Sequence, residues 1–145
     1  MTNCIQAAFS GGGGGGATVE EDSVNITSNV TFTVDAYADI TGLVVTIGDI
    51  TDGKTLLSCI IACERDGAGG TGFTLEDDGS AVTKTAAWAE MGSDAATQKK
   101  MIAMSLSMDA NASVIQAQAK TSGNTLTVRG SADGQSSTIS SISVG

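Results

Sequence analysis

The amino-acid sequence predicts an all-β fold, an antiparallel sandwich or barrel of about seven to nine short strands behind an extended N-terminal arm. Three observations carry this. Apolar and polar residues alternate with period two through most of the chain. Gly, Asn and Asp fall between the alternating runs as turn residues. Apolar residues make up 41% of the 145 but aromatics only 3%, so the core is built from Val, Ile, Leu, Met and Ala. With 16% charged residues and a mean hydropathy of +0.13 the chain is not of the charge-rich, disordered kind. Proline is absent.

The arm comes first. Residues 1–10 read MTNCIQAAFS, and Gly11, Gly12, Gly13, Gly14, Gly15 and Gly16 follow without a break. Glycine has no side chain to bury and loses the most backbone freedom on ordering. Fixing six such residues costs roughly 6–12 kcal/mol. Ile5 and Phe9, the sizeable apolar groups of the head, return roughly 3–6 kcal/mol if buried. The arm is therefore expected to need another surface to hold it. Residues 1–16 are read as the arm and 17–145 as one β domain.

Within the domain, Val24 to Ala36 alternates, with Val30, Phe32, Val34 and Ala36 on one face. Leu43 to Ile47 is a short β-branched run. Thr55 to Cys63 is apolar enough to predict burial on both faces. A hairpin is expected between Leu43–Asp49 and Thr55–Cys63, turning at Asp52-Gly53, and Asp133-Gly134 signals another. Phe73 to Leu75 precedes a turn at Asp77-Asp78-Gly79. Ile102, Met104, Leu106 and Met108 alternate with Ala and Ser as a half-buried strand. Val114 to Lys120 reads as the next, then a turn at Ser122-Gly123-Asn124, then Thr125 to Arg129. Ile139, Ile142 and Val144 close the chain in a serine-rich run. Thr85 to Lys100 departs from the alternation, and Ser93 can cap a short helix from Asp94. At most a short helix near 86–100 is expected.

Two motifs point to nucleotide chemistry. Gly48-Asp-Ile-Thr-Asp-Gly53-Lys54-Thr55 satisfies the phosphate-loop pattern in full, and Asp109 after an apolar strand supplies a second acidic element. Such a loop needs free backbone N–H groups, a following helix, Lys54 on the terminal phosphates and Thr55 on magnesium. Asp49 and Asp52 place negative charge in the cradle, and TLLSCIIAC suits a strand better than a helix. Gly67-Ala-Gly-Gly-Thr-Gly72 satisfies G-x-G-x-x-G, but a strand and not a helix follows it. It is read as a loop.

Histidine is absent, which excludes Ser-His-Asp and Cys-His catalysis and, with three Cys, a four-ligand zinc site. Cys59 and Cys63, four residues apart on a strand, are about 13 Å from each other, beyond disulfide reach. Buried reduced thiols are expected. Glu20-Glu21-Asp22 and Glu76-Asp77-Asp78 lack the spacing of a calcium loop and are read as solvated turns. Trp88 is read as a core residue. No cofactor is expected.

The net charge is −9 with a pI near 4.1, which argues against nucleic-acid and anionic-membrane binding. Residues 1–10 lack the basic and apolar regions of a signal peptide, and no apolar run is long enough for a membrane helix.

Together these features, an unsecreted acidic β-domain rich in Gly, Ala, Thr and Ser behind an extended arm, resemble the virion structural proteins of tailed bacteriophages. Head decoration or cement proteins are the nearest type. The resemblance implies a non-enzymatic subunit, made in the host cytoplasm and residing in the virion. It implies a homo-oligomer, a trimer before other states, bound to the major capsid protein or other virion proteins. On that view Ile5 and Phe9 are side-chain anchors and Gly11–Gly16 let the backbone lie against a neighbour. A tail-tube or collar subunit is the alternative within the same class. A phosphate-loop protein using Gly48–Thr55 is the alternative outside it.

Overall fold

A computed structural model describes residues 17–78, 80–81, 89–91 and 98–145. Eleven strands lie among them: β1 (Val19–Asn25), β2 (Val30–Phe32), β3 (Ala38–Ile47), β4 (Lys54–Arg65), β5 (Thr71–Asp77), β6 (Ser80–Ala81), β7 (Ala89–Met91), β8 (Gln98–Asp109), β9 (Ser113–Thr121), β10 (Leu126–Val128) and β11 (Thr138–Val144). All pairings are antiparallel. Two open sheets result, so the fold is a sandwich and not a barrel. No α-helix occurs among the described residues. Where a short helix was expected, 89–91 and 98–100 are strand, and Ser93, Asp94 and Trp88 lie outside the described residues.

Six strands combine into three ribbons. β1 and β2 run along β11 and β10 in turn, β10 and β11 share one edge of β4, and β6 and β7 share one edge of β5. Counting ribbons in chain order, the first sheet runs 1-8-3-6 and the second 2-7-4-5. That order is the double Greek key of a jelly roll.

Ser137 is what joins β10 to β11. It is fully buried, its hydroxyl accepts from the Ala62 N–H at 3.1 Å and donates to the Arg129 carbonyl at 3.0 Å, and its own N–H donates to the same carbonyl. The ladder along β4 is thereby carried across the excursion of residues 130–136. In β3 the register shifts between Asp39 and Val44, and the Gln116 amide donates to the carbonyls of Ile40 and Leu43 inside that bulge.

The core sits between the sheets. Leu57, Cys59, Ile61 and Cys63 from β4, Met104 and Leu106 from β8, and Ile139 from β11 face Ile40, Leu43, Val45, Ile47, Phe73, Leu75 and Ile115. Ala119 and Ala117 lie opposite Phe73 and Leu75 on the neighbouring strand, so small side chains make room for large ones.

Four expectations are corrected. β3 and β4 do not form a hairpin: β3 pairs with β9, β4 is the third ribbon of the other sheet, and residues 48–53 turn a corner between sheets. Both strands need their alternate apolar residues inside, and facing sheets satisfy both at once. Asp133-Gly134 closes a 3-10 turn (Ser131–Asp133) between two strands of one ribbon, not a hairpin. β4 is buried on both faces only near Ala62, since Leu56 is 56% and Ile60 38% exposed on the outer face. Val34 and Ala36 lie beyond the end of β2 and are exposed, because the chain bends there toward the second sheet.

Candidate functional site

The arm residues Ile5, Phe9 and Gly11–Gly16 lie outside the described residues, as does Cys4. Their point of departure is defined. The Thr18 N–H donates to the Gly145 carbonyl at 2.7 Å, and the Gly145 N–H returns a bond to Thr18 at 3.1 Å. Val19 then pairs with Val144 and enters β1. The arm therefore leaves from a rim of the first sheet where β1, β11, β4 and β8 all end, with Val19, Val144, Lys54 and Asp109 in one row.

The phosphate-loop candidate occupies the same rim. Two of its amides are engaged: Ile50 N–H donates to Ala110 and Gly53 N–H to Ile50, while Ala110 N–H donates back to Gly53. Asp52 takes a positive φ of 58° at the corner. Thr55 is the second residue of β4, is fully buried, and shares a 2.7 Å hydrogen bond with the Ser143 hydroxyl. Lys54 does meet Asp109, but as an exposed cross-strand ion pair. No amide cradle and no helix N-terminus converge there, so these residues lack the geometry that holds a phosphate. Of the second glycine motif, Gly67 to Gly70 lie in the loop from β4 to β5, as expected, and Thr71 and Gly72 begin β5.

Outward-facing side chains of the first sheet form regular rows. Ser23, Ser140, Ser58 and Ser105 stand side by side across four strands. On one side of them lie Glu21, Ile142, Leu56 and Ser107; on the other Asn25, Thr138, Ile60 and Ala103, then Met101, which is 67% exposed beside the buried Ala62. This face is small, weakly charged and partly apolar, the composition of a contact surface. Charge returns at its far end. Arg129 donates to Glu64 and Lys99 lies 3.5 Å from the same carboxylate, around a cavity of about 350 Å³ also lined by Cys63 and Gln135. The Arg129 hydrogen bond, with Lys99 adding attraction, holds the Glu64 carboxyl below its usual range. Any stability this gives is present at neutral pH and lost as pH falls through the lowered value.

Glu20-Glu21-Asp22 is strand and not turn. Glu21 faces out, and the Asp22 carboxylate accepts from the Thr46 N–H at 3.1 Å, tying β1 to β3 across the open side of the sandwich. Among the described residues no group of three His, Cys, Asp or Glu could hold a metal ion, and no helix is long and apolar enough to cross a membrane.

Sequence reasoning missed two polar side chains that the fold uses, one buried and one half-buried. Arg65 is fully buried, and its Nε and Nη2 donate to the Gly67 carbonyl at 2.9 and 2.7 Å. The signal for it was parity, since Thr55, Leu57, Cys59, Ile61 and Cys63 all face inward and Arg65 is next in that series. The Gln116 plug had no signal, because the bulge it fills is invisible in the alternation.

Cys59 and Cys63 are buried free thiols, as expected. Burial pushes both from 9.0 up to about 12, with Lys100 drawing Cys63 slightly the other way. In a Cys4→Ser variant at pH 8, Ellman's reagent is expected to find neither thiol in the native state and both in denaturant. The folded state keeps protons that the unfolded chain releases above pH 9. Stability should therefore fall as pH rises from 9 toward 12, by about 1.4 kcal/mol per pH unit per thiol. Urea midpoints at pH 8 and 10 measure it, and an unchanged midpoint would contradict the burial.

Compared with known proteins, the chain matches no family model and no curated protein. One solved structure that resembles it is dimeric latent PorU from Porphyromonas gingivalis, with a TM-score of 0.42 and 13% identity over 89% of this chain. The chain spans 13% of that protein's length. A likeness of this size carries nothing about activity.

Proposed function

We propose that this chain is a non-enzymatic structural subunit of a virion, a capsid decoration or cement protein that fastens to neighbouring subunits through its N-terminal arm. The observation that supports it most is the root of the arm. Thr18 and Gly145 exchange two backbone hydrogen bonds, so the arm is launched from a fixed rim. Sixteen residues span up to ~50 Å when extended, at ~3.3 Å each. That is enough to reach well onto an adjacent subunit.

The jelly-roll order is one that capsid shells share with lectins and cupins, so the fold accommodates the role without selecting it. The partners in this reading are further copies of the chain and the major capsid protein. Nucleic acid and membrane are not among them, in keeping with the acidic net charge of −9. Ile5 and Phe9 act as anchors.

Deleting residues 1–16 tests it. The truncated domain is expected to keep its circular dichroism and melting curve and to stop co-sedimenting with its particle. Ile5→Asp with Phe9→Asp in the full chain should weaken attachment by about 10²–10⁴-fold, the loss of two buried anchors. Unchanged attachment by either variant would sink the reading.

A further inference from the structure

We infer that the outer edge of β8 is a two-fold contact, at which a second copy of this chain adds its own β8 antiparallel to the first. Among the described residues β8 pairs only with β4, leaving a 12-residue edge strand. Every second residue there turns its N–H and C=O away from β4, and those groups need partners. Edge strands are usually blunted by proline, by a charge in mid-strand or by being short. β8 has none of these: Met101 to Met108 carries no charge and no proline.

Its charges lie only at the ends, Lys99 and Lys100 at one and Asp109 at the other. An antiparallel partner reverses that order, and this selects the occupant. With Met104 on the dyad, Lys99 falls opposite the second copy's Asp109, Met101 opposite Ser107, Ile102 opposite Leu106, and Ala103 opposite Ser105. The register keeps parity. Outward residues meet outward ones and core-facing residues meet core-facing ones, so the first sheet runs on into its copy.

Existing ion pairs extend in alternating sign. Lys99 lies 3.5 Å from Glu64, and Asp109 is paired with Lys54. The dyad places Glu64, Lys99, Asp109 and Lys54 in sequence across the interface, twice. Because the contact is isologous it closes on itself, and a pair of chains uses up both edges. The symmetry is two-fold, where the virion resemblance implied three-fold.

The inference stands apart from the arm, and its test needs no particle. Sedimentation equilibrium of the full chain should give twice 14.4 kDa. Ala103→Lys with Ser105→Lys, both at exposed positions, sets four ammonium groups around the dyad. It should weaken the dimer at least about tenfold with an unchanged circular dichroism spectrum.

Register is read by cross-linking in a Cys4→Ser background. Ala103→Cys and Ser105→Cys chains should form a disulfide-linked dimer when mixed and none when oxidised separately. A monomer, an odd-numbered oligomer, a dimer indifferent to the lysines, or a cross-link in either chain alone would overturn the inference. Loss of particle attachment on arm deletion would be untouched by any of these outcomes.

Discussion

Gly130→Ala is expected to cost the sandwich about 3 kcal/mol, the upper end of what overpacking does, while Gly134→Ala costs about 1 kcal/mol. The two glycines bracket the same 3-10 turn and are sensitive for opposite reasons. Gly130 has φ −93° and ψ 171°, a conformation any residue adopts, so its dihedrals tolerate alanine. Space does not. A Cβ there would lie 2.6 Å from backbone atoms of Thr27 and Ser28. Those atoms are fixed from several sides: Asn29 Oδ1 accepts from the Gly130 N–H, Ser131 N–H donates to Ile26, and Ala132 N–H to Thr27.

Relieving the clash means lifting the β1–β2 turn off the β10–β11 excursion. Gly134 is the reverse case. Nothing lies within 4 Å of its Cβ position, but φ is +74°. Alanine there is strained by its own backbone, partly offset by a stiffer unfolded chain. Urea denaturation of the two variants measures the contrast. Equal losses would mean that the Thr27–Ser28 backbone gives way to the added Cβ at little cost.

Phe73→Ala should lose about 3–5 kcal/mol, the cost of truncating a large buried aromatic. Phe73 is fully buried beside Ala119, and with so few aromatics the core has little large material to move into the gap. The neighbouring alanine cannot extend, and β5 is held by β9 along its whole length. Phe73→Leu keeps most of the volume and is expected to recover more than half of the loss. A loss below ~1 kcal/mol for the alanine variant would show that the sheets close over the cavity.

Much of this architecture was legible because alternation reports directly which residues face a core. The strands around Ile102–Met108 and Val114–Lys120 were readable for that reason, and Phe73–Leu75 by the turn residues that bracket it. Sheet membership was not, since period two says that a strand has an inside but not which sheet it joins. Leu43–Ile47 and the strand from Thr55 therefore looked like a hairpin, although the corner at 48–53 delivers them to opposite sheets. The turn signal at Asp52-Gly53 was real, with Asp52 at positive φ, and only its consequence differed.

For the candidate site, the phosphate-loop match singled out Lys54 and Asp109 in separate roles, and their meeting comes from the β4–β8 register, which the sequence does not show. The outcome as a surface ion pair followed from Ile50 and Gly53 spending their amides on the corner itself. The serine row was hidden for a different reason. Ser23, Ser58, Ser105 and Ser140 are scattered through the chain, and only the register of three strand pairs aligns them.

The two hydrogen bonds between Thr18 and Gly145 bear on how the gene could be rearranged. Residues 18 and 145 are backbone neighbours, so a short linker from Gly145 to Ala17 would close the sandwich into a ring without disturbing either sheet. New ends could then be opened in the glycine loop between β4 and β5. Such a permutant would present residues 1–16 from a different corner or omit them, separating the fold of the domain from the direction in which it reaches.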